Sequence, residues 1–188
     1  MAKMTKGRIE FTEEASQAAF GYVKGECKWA KVLEADDYGN FSISLYGDGI
    51  VEMEEELKAM QESAAKEVEE LGKKYQLADL YKEDSEGNKF LGFKLPATNF
   101  KGEDNKIDIY DASGKKVDDW DKLVGNGSII KLKYRIAPYY MSSTKMVGIS
   151  YKFYAIQVIN LVEYSAGDQG FGDETSGDAP FDTEEQDF

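Results

Sequence analysis

The stretch that decides the fold reads Ser128-Ile-Ile-Lys-Leu-Lys-Tyr-Arg-Ile-Ala-Pro-Tyr-Tyr-Met141. In a β-strand, side chains two positions apart share a face, and this stretch alternates apolar with cationic residues. It therefore predicts a strand with one core face and one face of positive charge. The apolar set is Ile130, Leu132, Tyr134 and Ile136, and the cationic set is Lys131, Lys133 and Arg135.

The end of this stretch is aromatic. Pro138 has no N–H to donate, so we expect it to end the strand, and Tyr139 and Tyr140 follow directly. Cations that lead into paired rings suit a single-stranded nucleic acid, which needs positive charge for its phosphates and flat partners for its unstacked bases. The alternative is a solvated strand face whose aromatics plug the end of a barrel, and the stretch alone fits both.

Length and composition predict one domain with a real core. The chain has 188 residues, of which 41% are hydrophobic, and it contains no histidine and a single cysteine, Cys27. An internal disulfide framework is excluded, and the commonest zinc ligand and general base are missing. No cofactor is expected. The amino terminus lacks the apolar segment of a signal peptide, and the apolar run Met146 to Tyr164 is interrupted by polar residues, so we expect a cytoplasmic protein without a membrane span.

The negative charge is concentrated at the carboxyl end. The formal net charge is −13, but residues 165–188 hold eight acidic residues and no lysine or arginine, so residues 1–164 carry 23 positive and 28 negative charges, a net of −5. Binding depends on the local electrostatic field along a groove and not on the net charge of the whole molecule. The small net charge of residues 1–164 is therefore compatible with binding to a nucleic acid. The sequence predicts a folded domain over 1–164 and a disordered acidic tail over 165–188, in which isolated phenylalanines point to a partner.

Periodicity predicts a small, mostly antiparallel β-barrel with one inserted helix. The helix, Val51 to Tyr75, has apolar residues at steps of three or four and acids near its first turn, with Asp48 as a possible cap. A second, short helix is predicted for Thr12 to Phe20. The predicted strands are Gly7–Phe11, Lys28–Leu33, Phe41–Leu45, Phe90–Leu95, Lys106–Tyr110, Ser128–Met141 and Met146–Tyr164.

Several short motifs, taken in order, resemble the single-stranded DNA-binding proteins of podophages, the group typified by phage T-seven. The resemblance covers about Trp29 to Tyr164 and the last residues, and the first 26 residues are longer than in that family. The motifs are Asp37-Tyr-Gly-Asn40, Asp111-Ala-Ser-Gly-Lys-Lys116, Gly125-Asn-Gly-Ser128, Lys131-Leu-Lys-Tyr134 with Pro138-Tyr139, and Leu161-Val-Glu163 before a tail that ends Asp187-Phe188.

The resemblance implies an OB-fold, a five-stranded Greek-key barrel that binds oligonucleotides on its strand face and loops. It implies DNA contacts from Lys133 and Tyr139, whereas Tyr140 and Met141 stand where the family has a lysine and a tryptophan. It also implies a tail that competes with DNA and recruits the phage DNA polymerase and primase-helicase. A homodimer in the cytoplasm of an infected bacterium, acting in DNA replication, recombination and repair, is the corresponding expectation.

The candidate binding residues fall into two sets. Cations near the central strand supply phosphate contacts, and aromatic residues supply stacking. The nucleic-acid set is Trp29, Lys31, Lys94, Lys131, Lys133, Arg135, Tyr139, Tyr140 and Lys152. The partner-binding set in the tail is Asp182, Glu184, Glu185, Asp187 and Phe188.

Two other classes of function compete with this interpretation. A metal-dependent nuclease would use carboxylates to hold magnesium, but the available aspartates lie in turn-rich polar segments without an accompanying base or nucleophile. We therefore expect no enzymatic activity. An acidic protein that mimics nucleic acid and binds a DNA-handling enzyme is the second alternative. The nuclease candidates are Asp104, Asp108, Asp111, Asp118, Asp119 and Asp121.

Overall fold

The computed structural model describes residues 2–5, 8–12 and 18–163. The predicted acidic tail, residues 165–188 with the partner-binding set, lies outside the described residues. The helices are α1 (Asp48–Val51) and α2 (Glu54–Glu70). The strands are β1 (Lys3–Thr5), β2 (Arg8–Glu10), β3 (Ala19–Lys31), β4 (Asn40–Tyr46), β5 (Gln76–Leu77), β6 (Lys82–Glu83), β7 (Lys89–Pro96), β8 (Asp108–Tyr110), β9 (Ser128–Met141) and β10 (Met146–Asn160).

Five of these strands form a Greek-key barrel. β3, β4 and β7 pair in succession, β9 pairs the other side of β3, and β10 pairs β9, all antiparallel. The ends of this order meet where β7 contacts β10, with the rings of Phe93 and Tyr151 5.8 Å apart. This strand order is that of an OB-fold, and the predicted fold class is confirmed.

The inward faces of the barrel strands supply the core. Phe93, Leu132, Phe153 and Ile156 are fully buried, as the alternating patterns of β7, β9 and β10 require. Cys27 is a free thiol inside this core, and burial raises its pKa to about 11. A thiol so protonated is a small apolar side chain and carries no reactive chemistry.

Helix α2 covers one side of the barrel. Leu57 joins the main core, whereas Ala64, Ala65 and Val68 form a second cluster with Val147 of β10. The helix runs from Glu54 to Glu70 and is shorter at both ends than the helix from Val51 to Tyr75 that its apolar stripe predicts. It begins after the short α1, and Gly47, not Asp48, occupies the N-cap position of α1.

The first half of β3 corrects a prediction. The sequence predicts a helix from Thr12 to Phe20, but Ala19 and Phe20 begin a thirteen-residue strand, and residues 13–17 lie outside the described ranges. From Ala19 to Cys27 this strand pairs with β9, and from Glu26 to Lys31 it pairs with β4. Because β3 spans both neighbours, it carries side chains to two parts of the outer surface.

Pro138 does not end the central strand, which continues to Met141 over the full length of the alternating stretch. The pairing of β9 with β3 stops at Ile136, so Pro138 lies where β9 pairs only β10 among the described strands. A proline is tolerated in such a stretch because a missing N–H leaves no ladder bond unmade on the open side.

Gly21 allows β3 to lie close against β9. A Cβ atom at Gly21 would lie 2.5 Å from the hydroxyl oxygen and 2.7 Å from Cζ of the buried Tyr134. Gly21→Ala should therefore lower the free energy of unfolding by about 1–3 kcal/mol, the usual cost of overpacking, as measured by urea denaturation.

Gly92→Ala is the matched control, since its Cβ would meet nothing nearer than Lys82 Nζ at 3.7 Å. An unchanged urea midpoint for Gly21→Ala would mean that β3 is not held against β9 as described.

Candidate nucleic-acid interface

Residues on the outer face of the barrel strands form three cross-strand rows, and all of them are at least partly exposed except Ala155, which is buried. Each row runs from β3 across β9 to β10, and two of the rows continue to β8. Adjacent strands lie about 4.8 Å apart, so cations of one row stand beside rings of β3. The rows are Phe20–Arg135–Lys152, Tyr22–Lys133–Ala155–Asp108 and Lys24–Lys131–Gln157–Tyr110.

The predicted cations, which are drawn from all three cross-strand rows, therefore lie on one surface. We call these four residues together the basic row: Lys131, Lys133, Arg135 and Lys152. Lys131 and Lys133 are exposed and Arg135 and Lys152 are half-buried. Successive cations on one face of β9 are two residues apart, which approximates the spacing of a charged polymer running along the strand. The structure thus brings together four of the predicted site residues.

Two exposed rings on β3 interleave with the basic row. Phe20 is 67% exposed and Tyr22 is 64% exposed. Arg135 Cζ lies 5.8 Å from the ring centroid of Phe20, and Lys131 Nζ lies 5.2 Å from that of Tyr22, both within cation–π range. Large rings left this open on a strand face are unusual in a solvated surface and favour a binding role.

Sequence reasoning missed Phe20, Tyr22 and Lys24. The alternation Phe20-Gly-Tyr-Val-Lys24 is a strand signal, but glycines at 21 and 25 and the acids after Thr12 obscured it. Placing this segment on β3 adds two rings and one cation to the predicted set.

Tyr139 and Tyr140 are separated by the pleat of β9. Tyr139 lies on the same face as the basic row, and its ring covers Gly148, where a Cβ would approach the hydroxyl oxygen to 2.6 Å. Tyr140 lies on the opposite face, packs on the α2 cluster and donates a hydrogen bond from its hydroxyl to the Lys74 carbonyl at 3.1 Å. The prediction that both tyrosines join one stacking surface is wrong for Tyr140, because neighbouring residues of a strand face opposite ways.

The remaining predicted residues form a second cluster on the β3–β4–β7 surface. Lys31 and Lys94 both pair with Ser42, so the two cations flank a small polar residue. Trp29 lies nearby at a β-bulge of β3, is 55% exposed and has a φ of 52°. A tryptophan with left-handed backbone dihedrals is strained. The backbone N–H of Trp29 donates a hydrogen bond to Asn126 Oδ1 at 2.8 Å.

The ring of Trp29 belongs to an aromatic group that we call the Trp29 cluster, made of Trp29, Tyr46 and Phe90. The Tyr46 and Phe90 rings stack at 5.2 Å, and Trp29 lies 6.4 Å and 6.3 Å from them. Lys28 Nζ lies 4.5 Å from the Tyr46 centroid. The Tyr46 hydroxyl is buried without a hydrogen-bond partner in the described chain, and this burial, with Asp84 nearby, raises its pKa.

Three of the six aspartates considered for a nuclease, Asp108, Asp111 and Asp118, are engaged in structural contacts. Lys116 Nζ lies 2.8 Å from Asp108 and 3.8 Å from Asp118. Asp111 closes its turn by accepting from Ser113 and Lys115, and the hydroxyl of Ser113 contributes most to lowering its pKa. Within residues 2–5, 8–12 and 18–163, no group of three acidic or cysteine side chains is arranged to hold a metal ion.

A cleft of about 750 Å³ adjoins this surface. Tyr22, Lys24 and Tyr46 line one part of it, and its acidic rim is formed by Glu26, Asp48, Glu52 and Glu56. These carboxylates would repel a phosphate backbone. In the part of the chain that the structure describes, no helix has the length and apolarity needed to cross a membrane.

The fold and this surface define an OB-fold protein with a cationic, aromatic outer face. Among solved structures the chain is similar to gp2.5, a single-stranded DNA-binding protein encoded by bacteriophage T7, with a TM-score of 0.66 and 19% sequence identity over 86% of this chain and 97% of that chain. The comparison confirms the predicted OB-fold and the resemblance to a phage single-stranded DNA-binding protein.

A weaker similarity is found to the single-stranded DNA-binding protein of bacteriophage Enc34 in complex with single-stranded DNA. Its TM-score is 0.48 at 13% identity, over 88% of this chain and 97% of that chain. No model of a protein family matches the chain, and a search of curated proteins finds no match.

Proposed function

We propose that this protein binds single-stranded DNA without sequence preference. The observation that carries the proposal is the interleaving of exposed rings with cations on one barrel face, in the pairs Phe20 with Arg135 and Tyr22 with Lys131. The cations contact phosphates, while the open faces of the rings stack on bases. A surface built this way binds any sequence, because every base has a π-face.

The proposed contacts predict the strength of DNA binding and its dependence on salt. If three to five phosphates are neutralised, the logarithm of the binding constant should fall with the logarithm of salt concentration at a slope of roughly −2 to −3.5. Each stacked base adds about 1–3 kcal/mol. Binding is then moderate and salt-sensitive, which suits a protein that must coat and release single strands.

β3 connects the two clusters of predicted residues. Its outward side chains run from Phe20 beside the basic row to Lys31 beside Lys94, a path of up to about 36 Å along one strand. We propose that DNA follows this strand across the basic row toward the Trp29 cluster. Tyr139 extends the row at the far end of β9.

We infer from the T7-like fold a non-enzymatic role in the DNA replication and recombination of a phage, in the cytoplasm of its bacterial host. In this proposal residues 1–164 bind DNA, and the tail, residues 165–188, recruits the phage DNA polymerase and primase-helicase. A homodimer would let the tail of one subunit reach the DNA-binding surface of its partner. The fold similarity to gp2.5 supports the DNA-binding part of this proposal.

Tryptophan fluorescence titrated with oligo-dT tests the proposal against the nucleic-acid mimic. Trp29 is exposed beside Lys31 and Lys94, so bound bases should quench its emission, and added salt should restore it. Trp29→Phe should abolish most of the quenching, which shows that the signal comes from this cluster. A flat titration up to high micromolar DNA would favour the mimic.

Deleting residues 165–188 should raise the affinity for oligo-dT about tenfold at low salt and have little effect at high salt. If the 24-residue tail is disordered, as its composition predicts, it would span roughly 27 Å, against a domain radius of gyration of about 15 Å, and would meet the basic row at millimolar effective concentration. Binding is measured by titration at two salt concentrations.

Two tail variants separate charge from recruitment. Neutralising Asp182, Glu184, Glu185 and Asp187 with amides should reproduce much of the gain, whereas Phe188→Ala should leave DNA affinity unchanged. Equal or weaker binding after deletion of the tail would contradict competition with DNA.

A further inference from the structure

A small cleft opens between β3 and β8 on the outer surface of the barrel. Its volume is about 290 Å³, roughly the volume that ten water molecules occupy in the liquid. The cleft therefore has room for one nucleobase. Tyr22, Tyr110 and Tyr154 line it together with Ala155, and Lys131 and Lys133 stand at its edge. A cleft with three phenol rings and two cations combines flat apolar walls with positive charge.

The shape of the cleft follows from a β-bulge in β10. The pairing of β10 with β9 shifts between Phe153 and Ala155, while Phe153 stays in the core. Tyr154 faces outward because it follows the inward Phe153, and the extra residue of the bulge places Ala155 on the outer face as well, beside Lys133 and Asp108. Because position 155 is an alanine, space remains where a larger side chain would fill the surface.

The charge of the cleft is favourable to a nucleotide. Among the described residues, Asp108 is the one acidic side chain that lines it, and Lys116 Nζ lies 2.8 Å from Asp108 and neutralises it. The side-chain amide of Gln157, a further lining residue, donates to the Ala112 carbonyl at 3.1 Å and fixes the adjacent loop. The positive charge of Lys131 and Lys133 is therefore left to act on the ligand.

We propose that this cleft accepts one unstacked base of a bound single strand, with Lys131 and Lys133 on the phosphates that flank it. The inference rests on the proposed function and adds a defined position for one nucleotide beside the basic row. Tyr22 serves both surfaces, since Lys131 Nζ lies over its ring and the ring also borders the cleft. The cleft thus anchors a strand that otherwise runs over an open surface.

Ala155→Leu tests the proposal because it fills the cleft and removes no charge. Oligo-dT is compared with an abasic oligonucleotide of the same length and backbone charge, by equilibrium titration of the full chain. Ala155→Leu should bind oligo-dT about tenfold more weakly, the loss of one stacked base, and should bind the abasic strand as the unmodified protein does. Ala59→Leu, on the exposed face of α2, is the matched control and should change neither affinity.

Each other outcome overturns the inference. Unchanged binding of oligo-dT, or an equal loss on both strands, shows that no base enters the cleft, while the basic row stands. If the unmodified protein binds neither strand, the proposed function fails as well. Should Ala155→Leu not fold, Tyr154→Leu removes one wall of the cleft and is judged by the same comparison of the two strands.

Discussion

Replacing Lys131, Lys133 and Arg135 together with glutamine should weaken binding to oligo-dT by about a hundredfold at low salt and flatten the salt slope by about two. Each cation on this face of β9 is a candidate partner for one phosphate, and every phosphate that is no longer neutralised makes the slope for a single strand shallower by about 0.7. Titrations at four or more salt concentrations measure both quantities.

The matched control removes three charges from another surface. Lys66 lies on α2, and Lys73 and Lys74 follow its end, all three exposed. Their replacement by glutamine gives the same net charge as the β9 variant. If the two triple variants lose affinity equally, the effect comes from net charge and the basic row is not the binding surface.

Replacing Phe20 and Tyr22 together with leucine should weaken binding by about thirtyfold or more and leave the salt slope unchanged. Both rings are largely exposed beside the basic row, so their loss costs stacking on two bases, roughly 2 kcal/mol or more, without removing a phosphate contact. The slope therefore distinguishes this variant from the charge variant. The same titrations provide the measurement.

Tyr38→Leu with Phe100→Leu serves as the control, because these rings are also exposed but lie on turns away from the basic row. A change in the salt slope for the Phe20 and Tyr22 variant would contradict the assignment of base stacking to the rings and of phosphate contacts to the cations. Unchanged affinity would exclude β3 from the binding surface.

The central strand and its neighbours are predictable because their patterns are strong. β9 has the predicted bounds, Ser128 to Met141, since alternation over fourteen residues fits no helix. β4 and β7 lie within about a residue of their predicted bounds for the same reason. The OB-fold itself follows from the resemblance, because alternation predicts strands but not their order.

The wrong predictions have physical causes. The sequence before and within the first half of β3 predicts a helix because Thr12 and two acids look like a helix start, while glycines at 21 and 25 break the apolar pattern. Those glycines are required by close packing, which only the tertiary structure shows. Gly25 is an example, since its Cβ would lie 2.3 Å from the Tyr46 carbonyl oxygen.

The candidate site is predictable in its cations more than in its rings. Alternation assigns Lys131, Lys133 and Arg135 to one face, and pairing across strands then adds Lys152. The two adjacent tyrosines look like a pair, but the pleat sends Tyr140 toward α2. Ala155 joins Tyr154 on the outer face only because of a bulge, which the sequence does not indicate.

The measurement that tests the central claim most directly is the salt dependence of oligo-dT binding by the full chain. We expect a linear decrease of the logarithm of the binding constant with a slope between about −2 and −3.5, as three to five phosphates on a single strand require. Binding whose strength does not change with salt, or no binding at the lowest salt, would contradict the assignment of this barrel face to single-stranded DNA.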